Sequence, residues 1–209
     1  MWLARRKKPV TDVTESRLGL RTQAIRRTLP TCDAASERTA GLMDSPLSDE
    51  NVLLANDPLD VVEHVLTAEN LEFDRTEDGD LAFNLAGDWK DYELWFAWRP
   101  EGDCLQLCLS LDMDITPEQR PAAVELIAAI NPRVWLGHFE LWEAGEIIFR
   151  HGMALATGDQ PSLAQAAAMI DVAMEGADRF YPAFEFLVRG LKSPQEAIAA
   201  CMFETVGEA

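Results

Sequence analysis

The chain has 209 residues, a formal net charge of −18 and 48% hydrophobic residues. That apolar share supports a packed core and excludes a wholly disordered chain. The acidity excludes a general nucleic-acid binder, which needs Lys and Arg clustered against phosphate, and favours a basic or apolar macromolecular partner.

The charge is unevenly spread. Residues 1–42 hold nine Lys/Arg against four acids, a balance of +5 that leaves −23 for residues 43–209. Such asymmetry separates two kinds of sequence. Residues 1–42 lack sustained apolar periodicity and read as unpacked: a basic tail, an Arg-rich leader, or upstream sequence with Met43 as the true start. The last suits the abrupt onset of acidic character at Met43-Asp44-Ser45-Pro46. A single α+β domain is expected over 43–209.

The first helix is predicted from Pro58 to Glu69, with Asp57 as cap and Pro58 in the first position. Leu59, Val62 and Leu66 give it an apolar side. The period then changes to two. Leu71 and Phe73, then Leu81, Phe83 and Leu85, flank an Asp78-Gly79 turn. Tyr92, Leu94, Phe96 and Trp98 share one strand face; Leu105, Leu107, Leu109 and Leu111 share the next. An antiparallel meander follows from this pattern. Its other face, with Trp95, Cys104, Gln106, Cys108 and Ser110, is mixed, which suits a surface covered by another element or a partner.

Thr116, Pro117 and Gln119 predict a capped second helix with Val124, Ile127, Ala128 and Ile130 inward, ended by Asn131-Pro132. A hairpin, Trp135–Trp142 and Ile147–Leu155, turns at Glu143–Glu146. A long helix starts at Ser162, with Pro182 expected to bend or divide it and Gly190 to stop it. Ser193 to Glu196 opens a last short helix ending near Thr205.

Few constellations carry chemistry. His64, His138 and His151 show no ligand spacing, although the last two lie on strands of one hairpin. Cys104 and Cys108 share a strand face about 13 Å apart, too far for a disulfide. No C-x-x-C, phosphate loop or G-x-S-x-G occurs. Asp112-Met113-Asp114 begins like a calcium loop but lacks the required Gly and Glu. No catalytic, cofactor-binding or metal residue is therefore expected. Trp89, Trp95, Trp98, Trp135 and Trp142 are expected mainly in the core, with Trp95, Trp98 and Trp142 as candidate partner-binding residues. Met153, Met169, Met174 and Met202 read as core. No apolar run of signal-peptide or membrane-spanning length is present, so a cytoplasmic protein with reduced thiols is expected.

Three segments carry a family resemblance: Asn131 to Glu140 (Asn-Pro-Arg-Val-Trp-Leu-Gly-His-Phe-Glu), Gly145 to Gly152, and the surroundings of Asp178 to Phe184. The tail from Ser193 to Ala197 with Phe203 to Gly207 adds to it. In this order they resemble the YbjN family of bacterial sensory-transduction regulators. The resemblance implies a twisted antiparallel sheet of five to six strands with helices packed on it, like the fold of type III secretion chaperones. Such chaperones are acidic, often dimeric, and hold extended client segments. The expected function is a non-catalytic regulatory or chaperone-like protein-binding module, without cofactor, nucleic-acid or membrane partner, and with a homodimer expected. The alternative is a small-ligand or redox sensor using Cys104, Cys108 and Trp95.

Overall fold

The computed structural model describes residues 57–156 and 158–204. The expectations for residues 1–42, for Cys32 and for the tail beyond Glu204 lie outside the described residues.

Helix α1 (Pro58–Ala68) begins where read: the Asp57 carboxylate accepts from the Leu59 N–H at 3.0 Å. This satisfies one of the donors a helix start leaves free. Leu59, Val62, Val65 and Leu66 are buried. The chain then enters strands β1 (Phe73–Arg75), β2 (Leu81–Ala86), β3 (Asp91–Arg99) and β4 (Cys104–Asp114). All neighbours pair antiparallel, as alternating sequences joined by tight turns should. The short strand β1 is tied back to α1 by Arg75, which reaches Asp57 at 2.7 Å, Asp60 at 3.0 Å and Glu63 at 2.5 Å.

Helix α2 (Arg120–Ile130) starts later than the sequence implied. Thr116 and Gln119 do form the reciprocal bonds of a capping box, at 3.1 and 3.4 Å, but they close a turn ahead of the helix. Its inward side also differs. Ala123, Leu126, Ile127 and Ile130 are buried, whereas Val124 and Ala128 face outward. Both sets satisfy helical spacing, so periodicity alone could not choose between them.

Strand β5 (His138–Leu141) is shorter than the Trp135–Trp142 segment expected, and β6 (Glu146–Ala154) follows. Strand β6 inserts between β4 and β5, giving the sheet order β1-β2-β3-β4-β6-β5. The chain thus crosses to the far edge through α2 and returns inward. At Ser110–Asp114 the β4–β6 register shifts. Asp112 adopts φ +52°, and the Ser110 hydroxyl accepts from its N–H at 2.9 Å. The Asp112-Met113-Asp114 run is therefore a bulge.

Of the bend or division expected at Pro182, the division does not occur: helix α3 (Leu163–Val188) runs through it. Ser162 and Gln165 form its capping box. At its end Gly190 takes φ +65°, and the Leu191 N–H donates to the Phe186 carbonyl at 2.9 Å, the wrap-around closure glycine permits. Helix α4 (Pro194–Glu204) packs against α3 and α2.

One face of the sheet and all four helices share the main core. Tyr92, Leu94, Phe96, Leu107, Leu109, Phe139 and Phe149 meet Ile170, Ala173, Ala177, Phe180 and Phe184 of α3. Phe149 is at the centre, its ring 5.1 Å from that of Phe139. A Cβ on Gly176 of α3 would stand 3.1 Å from this ring, so glycine there lets the helix lie close to the sheet. Truncating Phe149 to Ala should lower the unfolding free energy by about 3–5 kcal/mol, read from the urea midpoint at unchanged slope. A loss below about 1 kcal/mol would show that the ring does not organise the core.

Candidate functional site

Antiparallel register places directly opposed residues on one side of a sheet. The pairs therefore define rows across the second face. One row runs Ala82, Trp95, Cys108, Arg150, His138. The next runs Asn84, Glu93, Ser110, Ile148, Glu140. Among the described residues this face forms its own small apolar cluster of Trp95, Cys108 and Ile148, with Ala82 and Trp142 against it and no helix residue taking part. Trp95 and Trp142 meet edge to face with ring centroids 6.0 Å apart, a favoured aromatic geometry.

Polar groups frame this cluster. Glu140 holds three neighbours: Arg150 at 2.7 Å, the His138 Nε2 at 2.7 Å and the Trp142 indole N–H at 3.1 Å. The carboxylate thereby fixes the tilt of Trp142 over Ile148. On the other side of Trp95, Arg99 reaches Asp80 at 3.2 Å. Burial raises the Asp80 carboxyl above its usual range, and the Arg99 guanidinium only partly opposes it. The result is an aromatic pair flanked by two partly buried ion pairs.

The structure sorts the predicted residues. Trp95 and Trp142 come together, but Trp98 pairs with Leu105 on the opposite, helix-covered face and packs against the main core. It therefore cannot join them in one surface. His138 pairs with Arg150, so His151, next along β6, points to the other face, where burial lowers its pKa. Cys104 and Cys108 do share a face. Burial pushes the Cys108 thiol up to about 12, leaving it protonated and a poor nucleophile at neutral pH. Among the described residues no His, Cys, Asp or Glu cluster could hold a metal ion, and no helix is long and apolar enough to cross a membrane. Met169 and Met174 are in the core as read, and Met153 packs at its margin.

Trp135 overturns the expectation of a core residue: it is 97% exposed, beside Leu136 at 53%. Its place between the Asn131-Pro132 stop and Gly137 was the available signal, because it marks a loop. That loop is closely held. The Asn131 side chain accepts from the Phe139 N–H at 2.8 Å and donates to the Phe139 carbonyl at 3.1 Å. It occupies the outward backbone groups of edge strand β5 as a neighbouring strand would, which blunts that edge against strand addition. Gly137 adopts φ +76°, and a Cβ there would lie 2.5 Å from the Phe149 Cζ. The Asn131-to-Glu140 segment is thus a clamp. It seats β5 over Phe149 and delivers Glu140 and Trp142 to the second face.

Two measurements test this geometry. Asn131→Ala should cost about 1–3 kcal/mol of stability, since it strips the partners from two strand groups; an unchanged urea midpoint would remove the clamp. In the native chain Cys108 should resist a thiol reagent that modifies it readily in denaturant. Rapid native labelling mapped to the Cys108 peptide would contradict its burial.

Comparison with curated proteins finds no match. The family model YbjN, described as "Putative bacterial sensory transduction regulator", matches residues 58–186, which is more than half of the chain. That description is of a regulator and not of an enzyme family, and the match takes in α1, all six strands, α2 and most of α3. The chain belongs to the YbjN family.

Proposed function

We propose that this protein is a non-catalytic cytoplasmic regulator that works by binding a segment of another protein on the second sheet face, over Trp95 and Trp142. The carrying observation is the aromatic pair of buried Trp95 and partly exposed Trp142 on a sheet face to whose apolar cluster no described helix contributes. Aromatic residues framed by ordered charged groups are the usual anchors of protein recognition. The chemistry of the site supports binding over turnover: its acids and bases are engaged with one another, and its central thiol is held protonated.

The face is the preferred surface over the sheet edges. At β5 the outward groups of Phe139 are already taken by Asn131, and β1 is three residues long with Arg75 bound to α1. Strand addition needs a free row of backbone donors and acceptors. A segment lying across Trp95 and Trp142 does not. The acidic character of the chain favours a basic segment and disfavours acidic competitors.

The burial of Cys108, which raises its thiol pKa, weighs against the redox-sensor alternative. A small-ligand sensor at the same face is separated by experiment. A photo-cross-linking residue placed at Gln106, on the second face, should yield a discrete protein adduct in cells that is lost when Trp142→Ser is added. The same probe at Leu163, on the exposed start of α3, should not. Equal adducts at both positions, or a metabolite-specific thermal shift without any adduct, would overturn the protein-binding reading.

A further inference from the structure

Helix α2 presents a second surface, separate from the sheet face. Pro121, Val124 and Ala128 lie on its exposed side, and the line continues past the helix end through Pro132 to Trp135 and Leu136. Positions 121, 124 and 128 follow one side of the helix, and the short turn Asn131–Arg133 carries Pro132 before Val134 turns extended and leads into the loop with Trp135 and Leu136. An apolar line of this length facing water is uncommon in a monomer and marks an interface. It is also held firm, because Asn131 fixes the chain after α2 to Phe139, and Arg133 donates back to the Ala129 carbonyl. Ordering it in a complex therefore costs little entropy.

We propose that the α2 stripe is the two-fold contact between two copies of this chain. Charge selects this occupant. Residues 43–209 carry −23, yet no Asp or Glu occurs from Leu126 to Phe139, the longest acid-free run within them. A second copy meets least repulsion here. Charged residues bordering the stripe include Glu125, which also accepts from the Gln195 side chain of α4, and Arg133 towards its end, both exposed. Antiparallel packing of α2 against its counterpart brings each Arg133 towards the other copy's Glu125, and it also opposes the two helix dipoles. The side-chain sizes suit the same arrangement. With Ala128 at the axis, the backbones can approach closely, and the exposed Trp135 in the loop beyond the helix end is available to pack against the other copy. Trp135 can bury about 150–250 Å² alone, a fair part of the roughly 800 Å² that each partner contributes to a standard interface.

The test is sedimentation equilibrium of the full chain and its variants from 1 to about 100 μM, with far-UV circular dichroism to confirm folding. The wild type should associate to a dimer. Trp135→Ala should weaken association tenfold or more, as loss of a central aromatic does. Ala128→Arg, an exposed position whose change leaves the core untouched, should give a folded monomer. Glu125→Arg should also weaken the dimer, and adding Arg133→Glu to it should restore association. A wild type that stays monomeric throughout overturns the proposal. So does a dimer that survives Ala128→Arg and Trp135→Ala, because it would use another surface. The Gln106 cross-link on the sheet face is read separately, so failure of either surface leaves the other standing.

Discussion

The ring of Phe149 is the constraint on which the arrangement rests. It touches Phe139 across the β5–β6 pair, and two glycines make room for it: Gly176 in α3 and Gly137 ahead of β5. The first lets the helix lie down on the sheet. The second lets the edge strand turn in above it. With the ring seated, Phe180 and Phe184 of α3 close on Phe139 at 6.0 and 5.2 Å, and the far edge of the sheet is locked under the helix. Helix α3 has 26 residues, about 39 Å of length, while six strands span about 24 Å. One helix is thus long enough to cross the whole sheet.

That solution covers one side. With α1, α2, α3 and α4 all drawn into a single core, the other side carries, among the described residues, its own small buried cluster of strand and turn residues. Trp95 meets Trp142 edge to face, Arg99 reaches Asp80, and Arg150 pairs with Glu140. These contacts limit the apolar area shown to water and keep the aromatic pair ordered. The outward stripe of α2 has a different origin. The helix turns Ala123, Leu126 and Ile127 inward, so Val124 and Ala128 are left facing away from the core.

Much of the fold was legible in the sequence because alternation and capping are local. The meander from Leu81 to Leu111, the caps at Asp57 and Ser162 and the glycine stop at Gly190 all follow from neighbours within a few residues. What failed or stayed open was decided at a distance. Trp98 and Trp95 differ by three positions, so alternation puts them on opposite faces; only the choice of which face the helices cover says that Trp98 is the inner one. Trp135 looks like a strand residue until Asn131 is seen to hold Phe139, a contact eight residues apart that starts β5 three residues later. Helix α2 has apolar residues on more than one side, so its rotation was set by α4 and the sheet. The role of Glu140 was hidden for the same reason, because its partners Arg150 and His138 meet it only once β5 is placed beside β6.

We propose that the two faces differ in purpose, one supplying stability and the other recognition. A matched pair of truncations weighs them directly. The unfolding free energies of Phe139→Ala and Trp142→Ala should differ sharply, with a loss of about 3–5 kcal/mol for the buried ring and no more than about 2 kcal/mol for the partly exposed indole. Equal and large losses would contradict the account, since Trp142 would then be a structural residue and the second face a second core.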